Sequence, residues 1–435
     1  MKISFSFYDS KFIMLFKWLF FDNKNDQFKN FKLLKLASKF SNVRLSIIFI
    51  GLSFCCLWYE SLFTHLGVGW VEAYNLGAIF LLLAFIFCNK QNLKSTKAVI
   101  YLLLFVVALL ISGLWASIIG LEMGMIVFGI MVLGQFILAF VTVSTYKNKT
   151  LLINIVLALS LPLILVGIFQ GLWGGETSKL WVSSAESLVD ARAFGFFGSP
   201  NILGSLSMIT AIAALAALLD KKKWYYFVYE LLAIAVLILT YSRSAWIGLA
   251  AGLAVALLVK NWKLIFITPI CLLALLIPSV KQRLFVSMSR EYLVDAALDG
   301  RIWSVNNAVE ILKTSPILGT GPGSYGGQTA VYYNSPVYLS GMQNGYVALP
   351  YTDNQWLEIL VQTGIFGTVF IGGFFISHFV NNLRQYTKSK SYLSLGVIAA
   401  IVAVFVNGLF GNIWEFGAIA VLSGAYLGLG NVYEK

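Results

Sequence analysis

The chain has 435 residues, of which 59% are hydrophobic and only 11% charged, with a formal net charge of +12. A soluble domain carries roughly 25% charged residues, so a soluble enzyme is excluded and an all-α integral membrane protein is expected. The four cysteines, Cys55, Cys56, Cys88 and Cys271, lie in apolar runs without CxxC spacing or a histidine partner, which leaves neither a disulfide framework nor a metal knuckle.

Residues 1–44 form a basic tail whose one apolar stretch, Phe12 to Phe21, is broken by Lys17. It is too short to span and reads as an interfacial segment, not a cleaved signal. A crossing needs about 20 apolar residues, and twelve apolar runs follow, near 45–61, 74–88, 98–114, 123–145, 151–173, 201–219, 225–241, 245–259, 264–280, 354–378, 392–410 and 417–433. All are predicted helices, because a backbone in lipid must satisfy its own hydrogen bonds and barrel-type alternation is absent.

Entry of the first span from the cytoplasm puts thirteen basic residues in the inner connections: Lys90, Lys94, Lys97, Lys147, Lys149, Lys221, Lys222, Lys223, Lys260, Lys263, Arg384, Lys388 and Lys390. The short outer connections hold only Lys179, Arg192 and Arg243. The positive-inside rule therefore sets both termini in the cytoplasm, and the surplus charge reports orientation, with no nucleic-acid partner expected.

Residues 45–280 thus carry spans 1–9, residues 354–435 carry spans 10–12, and 281–353 form one long extracytoplasmic loop. That loop holds a predicted amphipathic helix, Arg301 to Lys313, with Ile302, Val305, Val309 and Leu312 on one stripe, and reads as a packed lid. Its run Gly319-Thr-Gly-Pro-Gly-Ser-Tyr-Gly-Gly327 lacks the lysine of a phosphate loop and follows no strand, so it reads as a turn-rich hinge.

The acids inside spans are Glu60, Glu230 and Glu358. Glu60 and Glu230 lie near span ends, where water is in reach. Glu358 stands about 7 Å into its helix from Asp353 and is the one expected to face an outer cavity. The outer arginines Arg192, Arg243 and Arg301 run against the orientation bias, and a guanidinium fork matches phosphate oxygens. The lone histidines, His65 and His378, have no second ligand, so no metal is expected.

Taken in order, Arg192 with Gly195, Gly198, Pro200 and Asn201; Ser242-Arg243; Gly300-Arg301 with Trp303; Gly319-Thr-Gly-Pro-Gly323; and Asp353-Asn354 with Gly364 and Gly367 resemble the O-antigen ligase family over about residues 190–415. That family also takes in Wzy-type polysaccharide polymerases. In its ligases a histidine, then Asn, Ser or Gln, nine residues, a glycine, two residues and a Gly, Thr or Tyr close the long loop. Here Asn354, Gly364 and Gly367 keep the spacing and Asp353 takes the histidine's place, a departure that favours polymerase over ligase.

The resemblance implies a GT-C-like fold and a glycosyltransferase of the bacterial cytoplasmic membrane. The implied donor is a polyprenyl-diphosphate-linked glycan and the acceptor a glycan or glycolipid hydroxyl, with membrane lipids, a flippase and a chain-length regulator as partners and no cofactor. It assigns Asp353, Arg243 and Arg301 to catalysis, Arg192, Arg243 and Arg301 to the donor diphosphate, and Asn201, Tyr241, Asn354 and Glu358 to substrate positioning. Two alternatives stand beside these assignments: an anion carrier of the same family, and Asp353 as a helix cap.

Overall fold

The computed structural model describes residues 42–59, 70–89, 96–174, 191–261, 301–339 and 352–431, with a few isolated positions between them. Every regular element among the described residues is a helix. In chain order these are α1 (Val43–Trp58), α2 (Trp70–Phe87), α3 (Lys97–Ile118), α4 (Met123–Ser144), α5 (Lys149–Trp173), α6 (Pro200–Lys221), α7 (Trp224–Leu239) and α8 (Arg243–Lys260). After them come α9 (Arg301–Thr314), α10 (Gln328–Tyr332), α11 (Pro336–Leu339), α12 (Gln355–Ser389), α13 (Tyr392–Gly408) and α14 (Gly417–Gly428).

Among the described residues, α3, α4, α5, α6, α8 and α12 are long and apolar enough to cross a membrane, and α1, α2, α7, α13 and α14 are shorter apolar helices. Eleven of the twelve apolar runs therefore fall on helices, and the ninth, 264–280, lies outside the described residues. Local chemistry fixes several starts. The Asn42, Asn148 and Asn354 side chains accept backbone N–H groups of the first turn, Thr96 does the same, and Ser199 caps α6 with Pro200 at its first position.

Small residues set the packing. Gly248 and Gly252 of α8 face Ala403 and Ala399 of α13, so the two backbones approach as closely as lipid-embedded helices do. Helix α14 is buried along its whole length and packs on α4. One end of the bundle gathers basic residues: Lys149 donates to the Leu429 carbonyl, and Lys260 lies 5.6 Å over the Tyr392 ring. The other end holds the starts of α6, α8, α12 and α14 and a cavity between them.

The central departure from regularity is in α12. Gly364 has φ 64° and ψ −171°, so the helix breaks inside its apolar length and backbone groups lose their i−4 partners. The segment after α9 replaces them. Thr320 N–H donates to the Val361 carbonyl and Gly321 N–H to that of Gln362, both at 2.9 Å, while Ile365 N–H donates to Pro316 O at 2.9 Å. The Ser112 hydroxyl adds a 2.7 Å bond to the Gln362 carbonyl. The expected hinge at 319–327 is thus a buried plug inside the bundle, where irregular backbone is tolerated because protein satisfies it.

The lid helix forms as expected, but on a different face. Ser304, Ala308 and Ile311 are buried against Tyr325 and Val361, whereas Ile302, Val305 and Val309 are exposed. The small residues let α9 approach α12, and the larger apolar stripe points away.

Gly364 has no room for a side chain: a Cβ would collide with the Ile317 carbonyl, and φ is in the left-handed region. Gly364→Ala should cost about 1–3 kcal/mol, read as a lower thermal midpoint of the detergent-solubilised protein. Gly372→Ala, in the same helix with nothing within 4 Å, is the control and should be neutral or stabilising by up to about 1 kcal/mol.

Candidate functional site

A cavity of about 510 Å3 lies at the end opposite the basic cluster, within the size range of small-ligand sites. The first turn of α6 supplies Ser199 and Asn201, α8 supplies Ser244, and the residue before α12's cap supplies Asp353. The link between α13 and α14 contributes Asn412 and Glu415, and α10 contributes Gln328. Aromatic rings, among them Tyr74, Phe128, Phe197 and Phe416, complete the wall. Several helix N-termini meeting at one cavity concentrate positive potential there.

Arg192 is buried behind this wall. Its Nε donates to the Thr240 carbonyl at 2.9 Å and its terminal nitrogen to Asn201 Oδ1 at 3.0 Å. Thr240 is the C-cap of α7, so the guanidinium sits at a helix terminus of negative potential and ties it to the start of α6. Burial, together with the nearby Arg243 charge, lowers the Arg192 guanidinium to about 10, which leaves it protonated at neutral pH. Arg243 is the first residue of α8 and is half-buried. Its neighbour Ser244 lines the cavity. Tyr241 adopts φ 51° in the tight turn between α7 and α8, its ring 6.1 Å from Trp246. The Arg301 side chain lies outside the described residues; its backbone starts α9.

Asp353 and Asn354 divide their roles. Asn354 is the cap of α12, its side-chain oxygen accepting the Trp356 and Leu357 N–H groups at 3.0 Å each. Asp353 is therefore not the cap. It precedes it in the left-handed conformation, φ 50°, a geometry aspartate tolerates, and lines the cavity.

Glu358 does not line the cavity. It is 1% exposed and lies one turn into α12, where it accepts from Gln355 Nε2 at 3.2 Å, from Gln362 Nε2 at 3.0 Å and from Asn412 Nδ2. Its carboxyl group lies close to that of Glu415, the two being packed against the adjacent Gly326 and Gly327. Glu415 accepts the Gln328 N–H at 3.1 Å, and Gly327 leaves no room for a Cβ beside its carboxylate. Burial raises the Glu415 carboxyl above the usual carboxylate range, while the nearby Glu358 carboxyl and hydrogen bonds from the Gln328 and Thr329 amides pull it down. Sequence reasoning missed Glu415 and Asn412. Their signal was an amide and an acid in the short link from Gly408 to Gly417, flanking Trp414.

Beside the cavity runs a groove of about 330 Å3 lined by Asn75, Met123, Val127, Met131 and Tyr333, and Phe128 belongs to both. Met123 and Val127 are more than half exposed, so this groove opens sideways. No group of three metal-ligating side chains occurs among the described residues.

Fold and site together define a helical, multi-pass membrane protein with a polar cavity at one end of its bundle. Residues 228–372 match the family model described as O-antigen ligase. This segment, one third of the chain, is similar to the O-antigen ligase family and contains Arg243, the plug and Asp353. No curated protein matches the chain.

Asn412 joins the site's elements: its Nδ2 bonds Glu358, the Thr352 hydroxyl at 2.8 Å and the Gly326 carbonyl at 3.1 Å. Asn412→Ala leaves these acceptors short of a donor in a buried setting and should cost about 1–3 kcal/mol, measured as a fall in thermal midpoint relative to wild type.

Proposed function

We propose that the chain is a membrane glycosyltransferase that moves glycan from a polyprenyl diphosphate to a sugar hydroxyl at the outer face of the cytoplasmic membrane. The observation that carries this reading is one cavity lined by Asp353 and Glu415, with Arg192 behind its wall, Arg243 next to the lining Ser244, and Asp353 and Arg243 inside the segment that matches the O-antigen ligase model. The sideways groove that shares Phe128 with the cavity suits the isoprenoid part of the donor, which stays in lipid while its head group enters.

The chemistry follows from those groups. The acceptor oxygen attacks the anomeric carbon, the bond from that carbon to the diphosphate oxygen breaks, and the electron pair leaves with the diphosphate. Arg243 meets the developing charge, Arg192 supports it from behind through Asn201, and Arg301 adds a third guanidinium from α9. Asp353 takes the hydroxyl proton. Asn201 and Tyr241 position the substrates, and Asn354 and Glu358 act through the elements they hold. The diphosphate is already an activated leaving group, so no nucleotide takes part. Asp353 in place of the ligase histidine favours polymerisation, with a flippase and a chain-length regulator as neighbouring functions.

Mass spectrometry of lipid-linked glycans from cells with and without the gene tests the reading. Loss of the gene should leave single repeat units without polymer; long lipid-linked chains would assign a ligase instead, and an unchanged glycan pool would remove glycan transfer and favour the anion-carrier alternative. In a transfer assay, Arg243→Ala should lower turnover by about 10²- to 10³-fold. Arg243→Lys should stay impaired because the fork is lost, and Asp353→Asn should lose on the order of 10²-fold or more.

A further inference from the structure

The proposed chemistry leaves one cluster without a role: the paired carboxyl groups of Glu358 and Glu415 and the amides around them. Two buried carboxylates in close contact would repel strongly, and a proton shared between them removes that repulsion. Among the described residues neither pairs with a lysine or arginine.

Its two members are not equivalent. Glu358 is enclosed by Asn412, Gln355 and Gln362 and is off the cavity wall. Glu415 is on the wall, fixed by the Gln328 N–H at the first turn of α10. Beside it, Asn412 also lines the cavity, and its Oδ1 is buried with no hydrogen-bond partner. A buried acceptor without a donor calls for a group that brings one. Carboxylate and amide oxygens next to apolar aromatic faces, here Phe416 and Phe197, suit a neutral sugar: its hydroxyls donate and its C–H face packs on the rings.

We infer that Glu415 is the acceptor-binding carboxylate of the cavity, and that Glu358 is the proton-sharing partner that fixes its charge and orientation. Asp353 then takes the proton of the reacting hydroxyl, while Glu415 and Asn412 hold the ring that carries it. This inference rests on the glycan-transfer reading and adds to it the place of the acceptor.

Two measurements on the full chain in lipid nanodiscs test it. Infrared difference spectra of wild type against Glu358→Gln should contain the C=O stretch of a protonated carboxyl group, and Glu415→Gln should shift that same band. Its absence from both differences overturns the pair. In a transfer assay with a short-chain isoprenyl-diphosphate repeat unit as donor and the free repeat-unit oligosaccharide as acceptor, Glu415→Gln should raise the acceptor KM roughly tenfold or more and leave the donor KM unchanged. Glu358→Gln should move the acceptor KM in the same direction, and it keeps the test open if Glu415→Gln does not fold. An unchanged acceptor KM in the folded variants overturns the acceptor role. A protonated-carboxyl band in a wild-type protein that transfers nothing overturns the glycan-transfer reading and not the proton-sharing pair.

Discussion

Everything at the site end depends on how the break in α12 is satisfied. A helix interrupted inside an apolar bundle leaves carbonyl and N–H groups that neither water nor lipid can pair, each costing several kcal/mol. Here the segment from Pro316 to Gly321 supplies those partners, and Ser112 of α3 supplies one more. The break thereby binds the long loop into the bundle. It also sets where the following residues stand: Gly323 N–H donates to Gln362 Oε1, Tyr325 O accepts from Gln362 Nε2, and Gln328 meets Glu415. The spacing from Asn354 to Gly364 and Gly367 is in this light a backbone requirement: a cap at the start of the helix, nine residues of helix, and a break that only glycine adopts without strain.

A second constraint is the cost of burying acids. Glu358 and Glu415 sit away from cations, so each must be held by hydrogen bonds or by a shared proton. The network around them reaches α10, α12, the link from α13 to α14 and the plug. Such an arrangement is poor as a source of stability, since apolar side chains would fill the same space at lower cost. Its presence beside the cavity is better explained by what the cavity binds.

The sequence made the spans legible because their solvent demands long apolar runs, and it made the basic end legible because lysines collect where the chain need not cross. The outer arginines stood out for the converse reason. Two features were not legible. The buried face of α9 was assigned to the large residues Ile302, Val305 and Val309, a rule that holds when water is the alternative. Helix packing in this bundle instead favours small residues that permit close approach, and Ser304 and Ala308 are the ones enclosed. Glu415 was missed because its partners, Glu358 and the Gln328 amide, are distant in sequence, and a single acid in a short link carries no periodicity.

The outer arginines Arg192 and Arg243 show how charge is kept at an end of the bundle that the orientation rule leaves nearly free of it. Arg192 is neutralised in part by the C-terminus of α7, through Thr240, and its remaining hydrogen-bond capacity is turned toward α6. Arg243 has the opposite setting, at the first turn of α8, where the helix dipole adds to its charge and Arg192 is close by. Like charges gathered in this way destabilise the empty protein. A preorganised positive field of this kind costs no rearrangement at the moment negative charge develops. In the proposed reaction that field would meet the departing diphosphate.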